Sequence, residues 1–300
     1  MLYQLVLNGI IAGCSYSLVA LGFTVIYRTV RFFNFAHGAV YTSGAYLTYF
    51  IIRSAAGTEL ANHEFLLWSI AGLTGVIGAG ISGVLIDRLV YLPLRRRKAP
   101  VLIFLLASFG VFIFVQNLIQ LLFGAGVLTL RTGPVKEGHF ILGAVITNIQ
   151  IAIIAVTCAV LAFLWLFLQK TKLGRAMRAV ADDPITASVM GINPEKTIFF
   201  SFAIGSALAG AAGILISLES NIEPTMGMNA ILKGIIGAII GGVGSIPGAF
   251  CGGLFLGLIE NLCIWKIQTS WKDVIAFAIF LIFLLFRPQG ILGKKEERAG

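Results

Sequence analysis

Long apolar runs, cut by short polar stretches, fill this chain from end to end. A helix needs about 20 apolar residues to cross the hydrocarbon core of a bilayer. The runs predict helical crossings at Leu5–Tyr27, Ala39–Ile52, Phe65–Ile86, Val101–Phe123, Ile149–Leu168 and Thr197–Leu218. Ala230–Ile240, Gly248–Ile264 and Val274–Phe286 follow. Ala39–Ile52 and Ala230–Ile240 are short; they are tilted, longer than drawn, or half-helices. The expectation is an all-α, polytopic integral membrane protein with eight or nine transmembrane helices. The even spread of the runs favours one membrane domain over residues 1–300.

Composition agrees with that pattern. Of the 300 residues 58% are hydrophobic and 12% charged. Soluble domains carry roughly 25% charged residues, so lipid must be the solvent for much of this surface. The net charge is +9. Its basic residues sit between apolar runs, which points to membrane topology rather than nucleic acid. One side of the membrane receives Arg28, Arg31, Arg88, the run Arg95–Lys98, Lys170, Lys172, Arg175, Arg178, Lys196, Arg287, Lys294, Lys295 and Arg298. The other receives only Arg53, Arg131, Lys136, Lys266 and Lys272, and Lys233 lies inside an apolar run. The positive-inside rule makes the first side cytoplasmic. Nine crossings then place the N-terminus outside and the C-terminus in the cytoplasm. The first run starts almost at Met1, with Arg28 and Arg31 after it rather than a basic stretch before it. It reads as a retained first crossing, not a cleaved leader.

Glycine is abundant, with 35 residues. Gly9/Gly13, Gly237/Gly241, Gly248/Gly252 and Gly253/Gly257 have the GxxxG spacing that lets helices approach closely in lipid. Gly234–Gly253, "GIIGAIIGGVGSIPGAFCGG", interrupts its apolar run with turn-forming dipeptides. It is either a cytoplasmic turn between two helices or a broken element beside a pathway. Cys14, Cys158, Cys251 and Cys263 lack CxxC spacing and read as small apolar fillers.

The exception to the apolar pattern is Lys172–Lys196, "KLGRAMRAVADDPITASVMGINPEK". "GRAMRAVA" is rich in helix formers, with Arg175 and Arg178 one turn apart. Asp183 suits an N-cap, Pro184 the first helical position and Gly191 the position just past a helix end. Two short helices with a sharp joint are predicted. Met177, Val180, Ile185, Val189 and Met190 need a partner surface. One reading lays the insert on lipid as an amphipathic hairpin. The other makes it a docking element for a soluble partner, which also accommodates the acids Asp182 and Asp183 at the joint.

Other candidates are sparser. In "NFAHG", His37 beside Asn34 suits a proton relay or gate; alternatively Asn34 caps the next helix and Gly38 gives room. Lys233 and Glu260, with Asn261 beside it, are charges near late apolar spans. They line an outward vestibule, pair, or snorkel to the surface. Glu59, Glu64, Glu137, Glu219, Glu223 and Asp273 lie on outer loops, and Trp265 and Trp271 fit an interfacial belt. His37, His63 and His139 fall on different loops with no HExxH motif, which argues against a membrane enzyme. The scarcity of buried acids argues against an ion-coupled carrier or channel.

"FFNFAHGAVYTSGAY" at 32–46, "GRAMRAVADDPITASVMGI" at 174–192, "GGVGSIPGAFCGGLFLGLIE" at 241–260 and "RPQGILG" at 287–293 resemble, in order, the permeases of branched-chain amino acid ABC importers. The similarity spans essentially the whole chain. It implies a multi-pass subunit of the bacterial-type inner membrane, paired with a second, homologous permease. Two cytoplasmic ATPases and an extracytoplasmic substrate-binding protein complete the assembly. It identifies residues 170–196 as the cytoplasmic coupling loop, formed or positioned by Gly174, Arg175, Arg178, Asp182, Asp183, Pro184 and Gly191. The motion implied is alternating access driven by those ATPases. The sequence has no GxxxxGK[ST] phosphate loop, so no cofactor is expected on this chain, and ATP with Mg²⁺ belongs to partner subunits. Branched-chain amino acids are the family's commonest cargo, and urea and short amides travel through close relatives.

Overall fold

The structure, a computed structural model, describes residues 2–55, 58, 63–130, 138–141, 144–265, 268, 271–287 and 289–293. Glu59, Arg131, Lys136, Glu137, Lys266, Lys294, Lys295 and Arg298, singled out above, lie outside the described residues.

Every predicted crossing is helical. α1 is Leu2–Val30, α2 Ala36–Ala55 and α3 Glu64–Ile86. A π-helical turn, Asp87–Tyr91, leads into α4, Leu92–Arg96. α5 is Val101–Phe123, α6 Asn148–Lys170, α7 Lys172–Asp182, α8 Pro184–Val189 and α9 Pro194–Glu219. α10 is Met226–Gly241, α11 Ile246–Cys263 and α12 Lys272–Phe286. Among the described residues, six helices are long and apolar enough to cross a membrane: α1, α3 with its extension to Arg96, α5, α6, α9 and α11. α2 is 20 residues long, longer than its apolar run, because His37 and Gly38 already lie on the helix. The all-α expectation needs one addition. β1, His139–Ile141, pairs antiparallel with β2, Ala144–Ile146. Six residues without a long apolar period give little warning of such a ribbon.

The chain forms two compact units. The first comprises 1–24, 135–175 and 232–300. Its helices meet at glycine. A Cβ on Gly13 would lie 2.8 Å from the Leu254 Cα, and one on Gly257 would strike the Gly13 backbone. A Cβ on Gly252 would lie 2.5 Å from the Gly241 N, and Gly241 and Gly248 face each other with no room for a side chain. All four GxxxG pairs are thus contact surfaces, with α11 carrying one pair against α1 and the other against α10. The link between α10 and α11 is a turn, as the first of the two readings has it. Gly242 and Gly244 take φ of 110° and 85°, which glycine adopts without steric cost. Ser245 then caps α11, its hydroxyl accepting from the Gly248 N at 3.2 Å. The closing "ILG" docks on this turn through Ile291 N to the Ile240 carbonyl and Leu292 N to the Gly241 carbonyl.

The second unit comprises 25–134 and 176–231. α2, α3 and α9 form its centre through the same device. A Cβ on Gly44 of α2 would lie 2.6 Å from the Gly210 Cα of α9. Thr48 donates to the Ala71 carbonyl of α3 at 3.2 Å. Phe32, Tyr91, Phe104 and Phe202 pack with Ile26 and Ile198 in one buried cluster. Outward, Leu73, Ile77, Ile81 and Leu85 of α3 are all more than half exposed. Four apolar side chains on one helical stripe facing out match a hydrocarbon solvent.

Candidate functional site

Residues 172–196 fold as the two short helices predicted. Thr171 precedes α7 and its hydroxyl accepts from the Gly174 N at 3.0 Å. Gly174 is buried, and a Cβ there would lie 2.5 Å from the Leu168 Cα. Glycine is therefore required for α7 to leave α6 so closely. Asp183 breaks the helix with extended backbone. Its carboxylate accepts from Ile185 N at 2.9 Å and Thr186 N at 3.3 Å, and from the Thr186 hydroxyl. These bonds, the Thr186 hydroxyl first, hold the Asp183 carboxyl below its ordinary pKa. Pro184 occupies the first turn, where its missing N–H leaves no bond unmade.

α8 ends equally sharply. Gly191 takes φ 83°. Its N–H donates to the Ser188 carbonyl, and the Ile192 N–H reaches back to the Ala187 carbonyl. This paired bonding, with the Met190 N–H on the Thr186 carbonyl, closes the last turn of the helix. Six residues alone would not hold a helix in water; here both ends are capped.

The apolar residues of the insert divide into two sets. Met177, Val180 and Ala187 are buried within this chain, at 2–4% exposure. Ile185, Val189 and Met190 are 76%, 82% and 77% exposed. The three lie on the short, capped α8 or just past it. Arg31 adds a contact that the sequence reading missed. It takes φ 53° just past α1, and its guanidinium donates to the Ala181 and Asp182 carbonyls at 2.6 and 3.0 Å. A cation on the final carbonyls of α7 complements the helix dipole there. In the sequence Arg31 is one more basic residue in a polar stretch between two apolar runs. Nothing local marks its target, 150 residues away. Arg175, Asp182, Asp183 and Pro184 are exposed, and Arg178 is half-buried.

The "NFAHG" stretch behaves as a helical connection, but not in the way expected. The Asn34 side chain does not cap α2. Its Oδ1 accepts from the Tyr91 hydroxyl at 2.7 Å, because the π-helical turn swings Tyr91 into the same buried cluster. α2 starts instead on backbone bonds from His37 N to the Asn34 carbonyl and Gly38 N to the Phe35 carbonyl. His37 is fully buried. Gly38 does give room: a Cβ there would lie 2.5 Å from the Gly227 carbonyl oxygen. Behind the turn, Asp87 is 1% exposed and pairs with Arg95 at 2.7 Å.

Lys233 and Glu260 come together in the first compact unit. The Lys233 Nζ donates to Glu260 Oε2 at 3.1 Å and to the Tyr16 hydroxyl oxygen at 3.1 Å. It also pairs with Asp273 Oδ1 at 3.2 Å. Tyr16 donates to the same Glu260 Oε2 at 2.8 Å. Of the alternatives open in the sequence, pairing is the one adopted; the Lys233 side chain is 16% exposed and turns inward rather than snorkelling. Asn261 donates to the Gly257 carbonyl of its own helix at 2.9 Å and is not part of the cluster. The sequence reading missed Tyr16, which is one tyrosine in a long apolar run.

A family model described as the permease component of branched-chain amino acid transport systems matches residues 5–284. The high-affinity branched-chain amino acid transport system permease protein LivH of Salmonella typhimurium is 37% identical, over 98% of this chain and 96% of its own. LivH of Escherichia coli K12 is 38% identical over the same shares. BraD of Pseudomonas aeruginosa, described in the same words, is 37% identical over 98% and 96%. No solved structure matches. The helical, multi-pass architecture and the resemblance of the four signature stretches agree with these matches, and the chain belongs to the family of branched-chain amino acid transport permeases.

Proposed function

We propose that this permease is one half of a membrane heterodimer in an ATP-driven importer of small amino acids, leucine, isoleucine and valine first. It forms a single membrane domain of nine crossings in the cytoplasmic membrane, with α2, α10 and α12 completing the set. The uneven distribution of basic residues supports an N-terminus outside and a C-terminus inside. A second, homologous permease, two cytoplasmic ATP-binding subunits and an external binding protein complete the transporter. ATP and Mg²⁺ are held by the ATP-binding subunits.

The observation that carries this reading is α8. A doubly capped helix with large apolar side chains exposed from its first turn to its end, Ile185, Val189 and Met190, has the shape of a plug for a hydrophobic socket. Lying on lipid would cover the same side chains, but it leaves Asp182 and Asp183, both exposed, against an anionic leaflet. A protein socket accommodates both. Gly174, Arg175, Arg178, Asp182, Asp183, Pro184 and Gly191 form or position this element. When the ATPase dimer closes on ATP, α8 and its counterpart on the second permease ride with it, and the membrane helices switch the open side. Asn34, His37 and Gly38 hold the connection between α1 and α2 and have no role as a gate in this account. Urea and short amides are the alternative cargo of the same machine.

The test is uptake of labelled leucine and, separately, urea into proteoliposomes containing the full transporter. Leucine uptake that needs ATP supports the proposal. Urea uptake without leucine uptake reassigns the cargo. Uptake that persists after the ATPases are removed overturns the importer and makes the chain a carrier or channel.

A further inference from the structure

Glu260 is fully buried, yet only half of its carboxylate is used. Oε2 accepts from both Tyr16 and Lys233. Oε1 has no hydrogen-bond donor among the described residues. Buried carboxylate oxygens are ordinarily satisfied, and a bare one marks a missing partner. The missing partner must be a donor, and beside an ionised carboxylate a cationic donor binds best.

The cluster is also graded in exposure. The Asp273 side chain is 67% exposed, Lys233 16% and Glu260 0%. Lys233 therefore bridges a solvated carboxylate and a buried one. Its bond to Asp273 is the replaceable one, because water takes over the Asp273 carboxylate at little cost. A solute carrying a carboxylate and an ammonium on one carbon meets both demands together. Its ammonium donates to Glu260 Oε1. Its carboxylate takes the place of Asp273 on the Lys233 Nζ. The Lys–Glu pair is the mirror image of a zwitterion, and the Tyr16 hydroxyl fixes Glu260 in place for it.

We infer that Lys233 and Glu260, held by Tyr16 and gated by Asp273, form a transient receptor for the α-ammonium and α-carboxylate of the transported amino acid. The inference rests on the amino-acid importer proposed above. The site reads the backbone of the solute and leaves its side chain to other surfaces. It discriminates zwitterionic amino acids from neutral amides such as urea.

The experiment uses the intact permease–ATPase complex in nanodiscs, without the binding protein, so that any affinity belongs to the membrane subunits. Equilibrium binding of labelled leucine is measured for the unsubstituted protein, Glu260→Gln, Lys233→Met and Asp273→Asn. Glu260→Gln keeps the shape and an acceptor for Tyr16 but removes the charge. Losing a charge-assisted bond is expected to weaken leucine binding about tenfold or more in Glu260→Gln and Lys233→Met. Asp273→Asn removes the competing carboxylate and should tighten binding. Isoamylamine, which lacks the carboxylate, should compete more weakly than leucine for the unsubstituted protein, and that difference should shrink in Lys233→Met, which retains only the ammonium partner. Equal leucine affinity in the unsubstituted and Glu260→Gln complexes overturns the receptor, as does a sodium requirement, which assigns Oε1 to a metal cation. If Glu260→Gln fails to assemble, Asp273→Asn at the surface decides alone: unchanged affinity there overturns the exchange. Leucine uptake by the unsubstituted transporter in proteoliposomes is measured in parallel. No uptake there defeats the importer; uptake there together with leucine binding that does not depend on Glu260 defeats only the receptor.

Discussion

Replacing Ile185 and Val189 with glutamine tests the α8 plug. Both side chains are mostly exposed, at 76% and 82%, and glutamine is a good helix former. The fold of the chain should therefore change by no more than about 0.5 kcal/mol. The partner interface should change far more. Fully burying an isoleucine or valine side chain contributes about 1.5–3 kcal/mol. With roughly three-quarters of each side chain available to a socket, the pair contributes about 2–4 kcal/mol to docking. That corresponds to a loss of about 30-fold or more in ATPase affinity. The assay is titration of the ATPase subunits onto the permease pair in nanodiscs, with leucine uptake in matched proteoliposomes. ATPase affinity and uptake within twofold of the unsubstituted transporter would refute the plug. Loss of membrane-surface contact in its place, seen as a greater exposure of α8 to a soluble quencher, would show that the insert lies on lipid.

Three further outcomes follow from the packing and capping. Gly257→Val drives a side chain into the Gly13 backbone and should destabilise the chain by about 1–3 kcal/mol. Gly110→Ala, with open space around it, should be neutral in the same thermal unfolding measurement in detergent. Tyr91→Phe removes the 2.7 Å bond to Asn34 and leaves a buried amide oxygen without its donor, for a loss of about 1–3 kcal/mol. A double-mutant cycle with Asn34→Ala should show that most of this loss is shared. Because capping holds the Asp183 carboxyl below its ordinary range, its contribution to α8 is complete above the unfolded carboxyl's pKa of about 3.9 and disappears as pH falls through the lower folded value. ATPase binding should thus keep this contribution from pH 7 to about pH 5. Asp183→Asn should keep the cap and abolish its pH dependence, read by ATPase titration across that range and below it.

The helices were legible because each rests on a local signal. Apolar runs marked the crossings, Asp183, Pro184 and Gly191 marked the two ends of α8, and GxxxG pairs marked the surfaces where α1, α10 and α11 meet. The apolar run understates α2 because His37, a polar residue, lies on the helix and is buried, as is Asn34 just before it. What remained hidden depended on partners far away in the chain. Asn34 has the residue type of a helix cap, and only the arrival of Tyr91, 57 residues later, explains why it serves another purpose. Tyr16 and Glu260 are 244 residues apart, so no periodicity connects them. The π-helical turn at Asp87–Tyr91 has no Gly or Pro of its own, and the one cue beside it is Pro93, which has no N–H for the Leu89 carbonyl. One extra residue in a helix is a question of register, settled by the packing of Tyr91 and by the Asp87–Arg95 pair. The division of the insert's apolar residues was equally invisible. Met177 and Val189 are alike as sequence, and only the fold buries one and exposes the other.

The most direct test of the account is leucine uptake by the complete reconstituted transporter, measured with hydrolysis in the same vesicles, with ATP and then with a non-hydrolysable analogue. The account predicts uptake with ATP, none with the analogue, and loss of uptake in Ile185→Gln/Val189→Gln. Uptake with the analogue, or undiminished uptake in that double variant, would contradict it.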